Sequence, residues 1–304
     1  MYAKQVDLVW EPIIIKVRVS GGLGNQLFKF FHGLKIADNF QRNLVIDISW
    51  FKHSYMVSSR VNNRKYELPY FEPINSYPTY YSKNKNLDLF RGKVERKING
   101  RIQKFIGVMT EQNEQFFVSP PRFIDGNFYK LSDLPSFEVV KKHLTFPINE
   151  SDWLKGKFAE LGNSMDVAVH VRRTDYINLP EIYDVLTDNY YRSAMSFFKE
   201  KYINVSFWLF SDDVLGAQIY LKDIFHFKQV VDAPKYISTG ECLRLMSSFK
   251  GIITANSTFS WWAAYIGYLN GTTQEVVLPN KFSKLANDNP SQNLKVSNWN
   301  MLEV

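Results

Sequence analysis

One cysteine, Cys242, occurs among 304 residues, so no intrachain disulfide can form and a cysteine-based metal site is excluded. A lone thiol suits a reducing compartment without establishing one. Long apolar runs are missing as well. The opening stretch MYAKQVDLVWEPIIIKVRV has only short ones, and nothing later approaches the roughly 20 residues that cross a bilayer. The expectation is a cytoplasmic protein, soluble or peripheral at the inner membrane. The five histidines make no zinc spacing, and H-E-x-x-H is absent. No G-x-S-x-G elbow presents an acyl-transfer serine, and no Gly-Lys-Ser/Thr completes a P-loop.

The chain is instead 45% hydrophobic and 16% aromatic, too apolar for disorder and sufficient for large cores. Its length exceeds what one core usually serves, which points to two domains. The formal charge is +7, and much of the excess falls in Lys83–Lys104, where eight basic residues face only Asp88 and Glu95. Such a stretch can recruit nucleotide phosphates, an anionic membrane surface or nucleic acid. A solvated helix face explains it equally well. No nucleic-acid motif accompanies the charge, so no nucleic-acid partner is expected.

Ile13–Val19 is a β-branched run typical of a buried strand, and the glycines of GGLGNQ follow it at once. Leu27, Phe30, Phe31, Leu34 and Ala37 then recur at helical spacing, and Leu44–Ile48 reads as the next strand. Strand, glycine loop, helix and strand open a nucleotide-binding fold. Residues 50–147 carry only short patterns, with a helix expected near Leu87–Ile106. From Asp166 onward, strands at 166–172, 205–210, 227–231, 251–255 and 275–278 alternate with helices. Among these, Ser238 and Glu241 form a capping box before a helix carrying Leu245, Met246 and Phe249. The fold class expected is α/β: two Rossmann-like domains, residues 1–160 and 161–304, whose open parallel sheets face each other across a cleft. Ligands bind there, at the carboxyl ends of the strands.

Three constellations fall at those strand ends. HVRRTDY brings His170, Arg172, Arg173 and Asp175 to one edge. Adjacent arginines repel unless an anion is present, and a diphosphate matches the guanidinium fork. Strand alternation sends the two arginines to opposite faces, so that one reaches the ligand and the other locks the loop through Asp175; a salt-bridge network of Arg173 and Asp175 with no ligand is the competing reading. In NSTFSWW, Asn256 ends a strand and Ser257 or Thr258 caps a helix whose first amides suit an anion. One of Trp261 and Trp262 is expected in the core, the other beside the pocket. Asp212 and Asp213 follow a third strand, where a carboxylate can accept from the N1–H and amine of guanine. A metal-binding pair is the competing reading, disfavoured because adjacent carboxylates on a strand point apart. Across the cleft, Gly22 permits close backbone approach, and Asn25 and Gln26 can donate to a sugar hydroxyl. Cys242, on an apolar helix stripe, reads as core.

GGLGNQLFKF (21–30), HVRRTDY (170–176), SDD (211–213) and NSTFSWWAAYIG (256–267) together closely resemble the bacterial α-1,2-fucosyltransferases, glycosyltransferase family 11. The resemblance runs from residue 13 to about residue 280 and is weakest over 50–120. It implies a GT-B architecture and inverting transfer of L-fucose from GDP-β-L-fucose to O2 of a galactose. It implies no metal and no cofactor beyond that co-substrate. The acceptor is then a galactose-terminated oligosaccharide, of lipopolysaccharide or secreted kind, entering beside the amino-terminal domain. The donor pyrophosphate falls to Arg172, and the rest of the nucleotide to Asp212 or its neighbour and the Ser257–Thr258 turn. His170, Asp175, Asp125 and Glu67 stay open as the base. Another donor on the same fold, or a non-catalytic nucleotide- or glycan-binding module, is the alternative.

Overall fold

The computed structural model describes residues 14–52, 64–83, 107–162, 164–222, 226–284 and 290–304. The basic run after Lys83 and the helix expected near Leu87–Ile106 lie outside the described residues.

In the first half, strands β1 (Ile15–Arg18), β2 (Leu44–Asp47), β3 (Thr79–Tyr80), β4 (Val108–Met109) and β5 (Phe123–Ile124) form one parallel sheet in the order β3-β2-β1-β5-β4. In the second, β6 (Met165–Val171), β7 (Val205–Ser211), β8 (Gln229–Val231), β9 (Gly251–Ile253), β10 (Glu275–Pro279) and β11 (Asn300–Leu302) run parallel in the order β11-β10-β9-β6-β7-β8. Seven helices matter for the site: α1 (Leu23–Asn39), α2 (Asp152–Glu160), α3 (Thr174–Asn178), α4 (Asp188–Lys201), α5 (Val214–Leu221), α6 (Thr239–Met246) and α7 (Thr258–Leu269). All seven residues of β6 are buried, as its near-continuous apolar sequence requires of a strand covered on both faces.

Both sheets change direction at their middle. From β6 the chain builds outward through β7 and β8, then returns to lay β9, β10 and β11 on the other side. The carboxyl ends of β6 and β9 therefore flank a crevice, and HVRRTDY and NSTFS are the loops that leave them. In the first sheet the same reversal separates β1 from β5, and the loop leaving β1 is the glycine loop. Topology alone thus sets three sequence motifs around one cleft.

The halves meet through α1 and α7. Phe28 lies 4.8 Å from Trp261 and 5.0 Å from Trp262, and Phe31 stacks on Trp262 at 5.4 Å. Both tryptophans are fully buried, which corrects the expectation that one of them walls the pocket. Gly24 is the point of closest approach: a Cβ there would lie 2.6 Å from the Thr258 carbonyl carbon and 2.7 Å from the Phe259 nitrogen. Because that obstacle is backbone, Gly24→Ala must push the two helix starts apart. Loss of stability by about 1–3 kcal/mol is expected from such overpacking, together with reduced turnover. A melting curve and transfer rate equal to wild type would contradict this tight seam.

Helix α2, in the segment that joins the halves, packs on α6 of the second half. Arg244 anchors the crossing, donating to the Pro147 carbonyl at 2.8 Å and pairing with Glu150.

Candidate active site

A cavity of about 1460 Å³ opens between the carboxyl ends of the two sheets. Gly21, Gly22, Gly24 and Asn25 form part of one wall. His170, Arg172, Asp175, Asp212 and the Asn256–Phe259 turn form part of the other. The starts of α1 and α7 thus both abut the cavity, and each carries the partial positive charge of a helix amino terminus. Ser257 caps α7 through its hydroxyl, which accepts from the Phe259 amide, and the Thr258 hydroxyl donates to Asn25 Oδ1 at 2.6 Å. That bond joins the two motifs across the cleft.

The Arg172 guanidinium faces two carboxylates. Its Nη1 lies 2.9 Å from Asp212 Oδ2, and its Nη2 bonds Asp175 Oδ2. Arg64, from the first half, donates to the same Asp175 oxygen. Arg173 behaves otherwise than expected. It pairs with Asp213, not Asp175, and neither residue of that pair lines the cavity. The cause is local: β6 ends at Val171, so strand alternation does not reach Arg173, which sits just before α3. Asp213 also caps α5 by accepting from the Gly216 amide.

Asp212 is a further correction. One oxygen accepts from the Arg173 amide at 2.9 Å, and the other takes the Thr174 amide, the Thr174 hydroxyl and Arg172. Those partners close the start of α3 and leave its carboxylate little capacity to read a base. Burial works against its ionisation, but Arg172 and the Thr174 and Arg173 hydrogen bonds outweigh it, and its pKa stays below the usual carboxylate range. His170 is held down to about 4 by burial, with Arg172 adding to the effect and Asp212 opposing it. It is therefore a neutral imidazole near pH 7, and its Nδ1 has no hydrogen-bond partner among the described residues.

Other expected contacts turn inward. Gln26 is fully buried; its amide donates to the Gly21 and Lys65 carbonyls while its oxygen accepts from the Glu67 amide. It ties the glycine loop to the segment after Arg64 and has no donor left for a sugar. The Asn256 side-chain amide donates to the Asp184 and Phe282 carbonyls, and the Asn256 backbone carbonyl accepts from the Tyr176 hydroxyl. Asn256 thereby pins the loops that shape the cavity. Asp125 bonds Arg18 behind the cleft and does not line it. Glu67 does line it. Burial raises its pKa, against the pull of the Thr239 hydroxyl, Arg64 and Lys65. Cys242 also reaches the cavity wall, contrary to its reading as core, and burial pushes its thiol up to about 12, so no reactive thiolate forms.

Sequence reasoning passed over Arg64, Glu111, Asp232 and Tyr183, whose ring stacks 4.3 Å from that of Tyr176. Arg64 and Glu111 stand in the poorly patterned stretch, where nothing local marks them. Asp232 follows β8 just as Asp212 follows β7, a repeat of position that does carry a signal. Among the described residues, His32, Glu114 and Asp133 bring three metal-capable atoms within 4.8 Å of one another, but none of the three lines the cavity.

Residues 125–303 match the model of Glycosyl transferase family 11. The chain is 30% identical over 278 residues to an alpha-1,2-colitosyltransferase of Escherichia coli, covering 83% of this chain and 87% of that one. It is 26% identical over 312 residues to the O-antigen biosynthesis glycosyltransferase WbnK of Escherichia coli, covering 92% and 98%. Among solved structures, the fucosyltransferase NodZ from Bradyrhizobium superposes with a TM-score of 0.50 at 15% identity, covering 88% of this chain and 94% of that one. The architecture of two facing parallel α/β halves is GT-B. The matched region holds every motif that lines the second half of the cleft, and so the chain belongs to glycosyl transferase family 11.

Proposed function

We propose that the protein transfers L-fucose, or a closely related 6-deoxy-L-sugar, from its GDP-activated form to O2 of a galactose, with inversion and without a metal ion. The observation that carries this reading is Arg172 beside the α7 start, where the second sheet reverses direction and opens to the cleft. As the C1–O bond breaks, negative charge grows on the β-phosphate. A guanidinium and preoriented amides stabilise that charge more in the transition state than in the ground state. Diphosphate takes the place of Asp175 beside Arg172, while Asp212 stays with the start of α3.

Asp232, at the carboxyl end of β8, is the guanine reader of this proposal, because Asp212 is spent on α3. Glu67 is its proton acceptor for the attacking hydroxyl. It lines the cavity from the first half, and burial raises its pKa, which suits a carboxylate that is to accept a proton. The arrangement asks no divalent cation to neutralise the leaving group. Transfer is therefore expected to survive exhaustive chelation, and activity abolished by chelator and restored by added magnesium or manganese would overturn that part.

The named colitosyltransferase relative supports a second donor. Colitose differs from fucose only in lacking the 3-hydroxyl, so a direct comparison of donors has to separate the two. The deciding experiment offers GDP-fucose, GDP-colitose, GDP-mannose and UDP-galactose with β-galactoside acceptors, followed by linkage analysis. An α-1,2-linked 6-deoxysugar product is expected. Turnover with the UDP-sugar alone, or no product from any donor, refutes the reading.

A further inference from the structure

Arg64 and Arg172 come from different halves of the molecule and end on the same oxygen, Asp175 Oδ2. Two guanidinium groups converging on one oxygen atom describe an anion site, here filled by the protein's own carboxylate. We propose that Arg64 is a second ligand of the donor diphosphate, delivered from the acceptor-side half, and that Asp175 holds its place until the donor arrives. This inference rests on the reading of Arg172 given above.

Three observations converge. The Arg64 side chain is mostly buried at 22% exposure, with Asp175 at 9%, so the pair is shielded from bulk water and its charges matter. Arg64 also lies over the glycine loop: a Cβ on Gly22 would come within 3.6 Å of its Nη1. That places a cation at the start of α1, where the helix dipole disfavours one. Arg172 shares the cavity with the start of α7 in the same way. Two guanidiniums and two helix amino termini around one space repel one another, and Asp175 with Asp212 offsets them. Asp212 is committed to α3, whereas Asp175 Oδ2 is the oxygen that both arginines share and is the natural one to yield to phosphate. Exchange of a carboxylate for a diphosphate raises the negative charge between the arginines and draws the two halves onto the donor. Glu67 and Glu111 also line the cavity, and carboxylates accept from sugar hydroxyls but repel phosphate.

The test is calorimetric binding of GDP, GMP and guanosine to the whole protein in wild-type, R64A, R64K and R172A forms. A β-phosphate contact predicts that R64A loses about tenfold or more in GDP affinity, the size of one charge-assisted hydrogen bond. GMP and guanosine binding should change little, and R64K, which keeps the charge but not the fork, should fall between. Equal weakening of all three ligands in R64A marks a structural role and overturns the proposal, as does unchanged GDP binding. In those cases R172A still weakens GDP selectively and the donor reading stands. If wild type itself binds GDP no better than guanosine, and R172A changes nothing, the donor reading fails along with this one.

Discussion

Arg172→Ala is expected to cut kcat/KM for the GDP-sugar between about tenfold and about a thousandfold. The lower bound is one charge-assisted hydrogen bond to a buried anion, about 1.5 kcal/mol, and the upper is the loss of one donor aimed at developing charge. The fold should tolerate the change. Asp175 keeps Arg64, and Asp212 keeps the Arg173 and Thr174 amides, so neither carboxylate is left without a partner. Far-UV circular dichroism and the melting midpoint should therefore stay near wild type while turnover collapses. On the proposed reading the loss appears in kcat as well as KM, because the phosphate charge facing Arg172 would increase as the C1–O bond breaks. Arg172→Lys should recover only part, since an ammonium cannot bridge two oxygens as a planar fork does. Wild-type kcat in Arg172→Ala, with unaltered GDP affinity, would remove this residue from the mechanism.

The strands and helices of the second half were legible because each is long enough to show its period. β6, β7 and α7 come out within a residue or so of their expected limits. The first half hid more. β3, β4 and β5 are two residues each, too short for any alternation to register, and they join the sheet only because β1 and β2 template them. β11 was missed for a related reason: it is a three-residue, half-buried edge. Within the site, motif membership predicted which residues gather but not which way they face. Arg173 and Asp212 show why. Arg173 falls beyond the end of β6, and Asp212 accepts the amides that open α3, and neither local arrangement can be read from strand alternation. Arg64 was out of reach altogether, because its meaning comes from a carboxylate 111 residues further along the chain.

Trp262→Ala tests how the two halves are joined, and about 3–5 kcal/mol of destabilisation is expected, the range for emptying a large buried aromatic site. The indole lies between Phe28 and Phe31 of the first half and Trp261 and Tyr265 of the second. Removing it opens the seam rather than the interior of either half. One apolar core runs from β1 through α1 to α7 and β10, so the halves should unfold together. Wild type is then expected to show a single cooperative transition in urea, and the variant a single transition at lower concentration. Trp262→Phe sharpens the argument. Nε1 of Trp262 has no hydrogen-bond partner among the described residues, whereas Nε1 of Trp261 donates to the Leu294 carbonyl at 2.9 Å. Phenylalanine at 262 keeps most of the packing and removes an unpaired donor, so it should cost well under half of what alanine costs. Two separate transitions, of which Trp262→Ala moves only one, would mean that the halves are independent and that the donor cleft is not held open by a shared core.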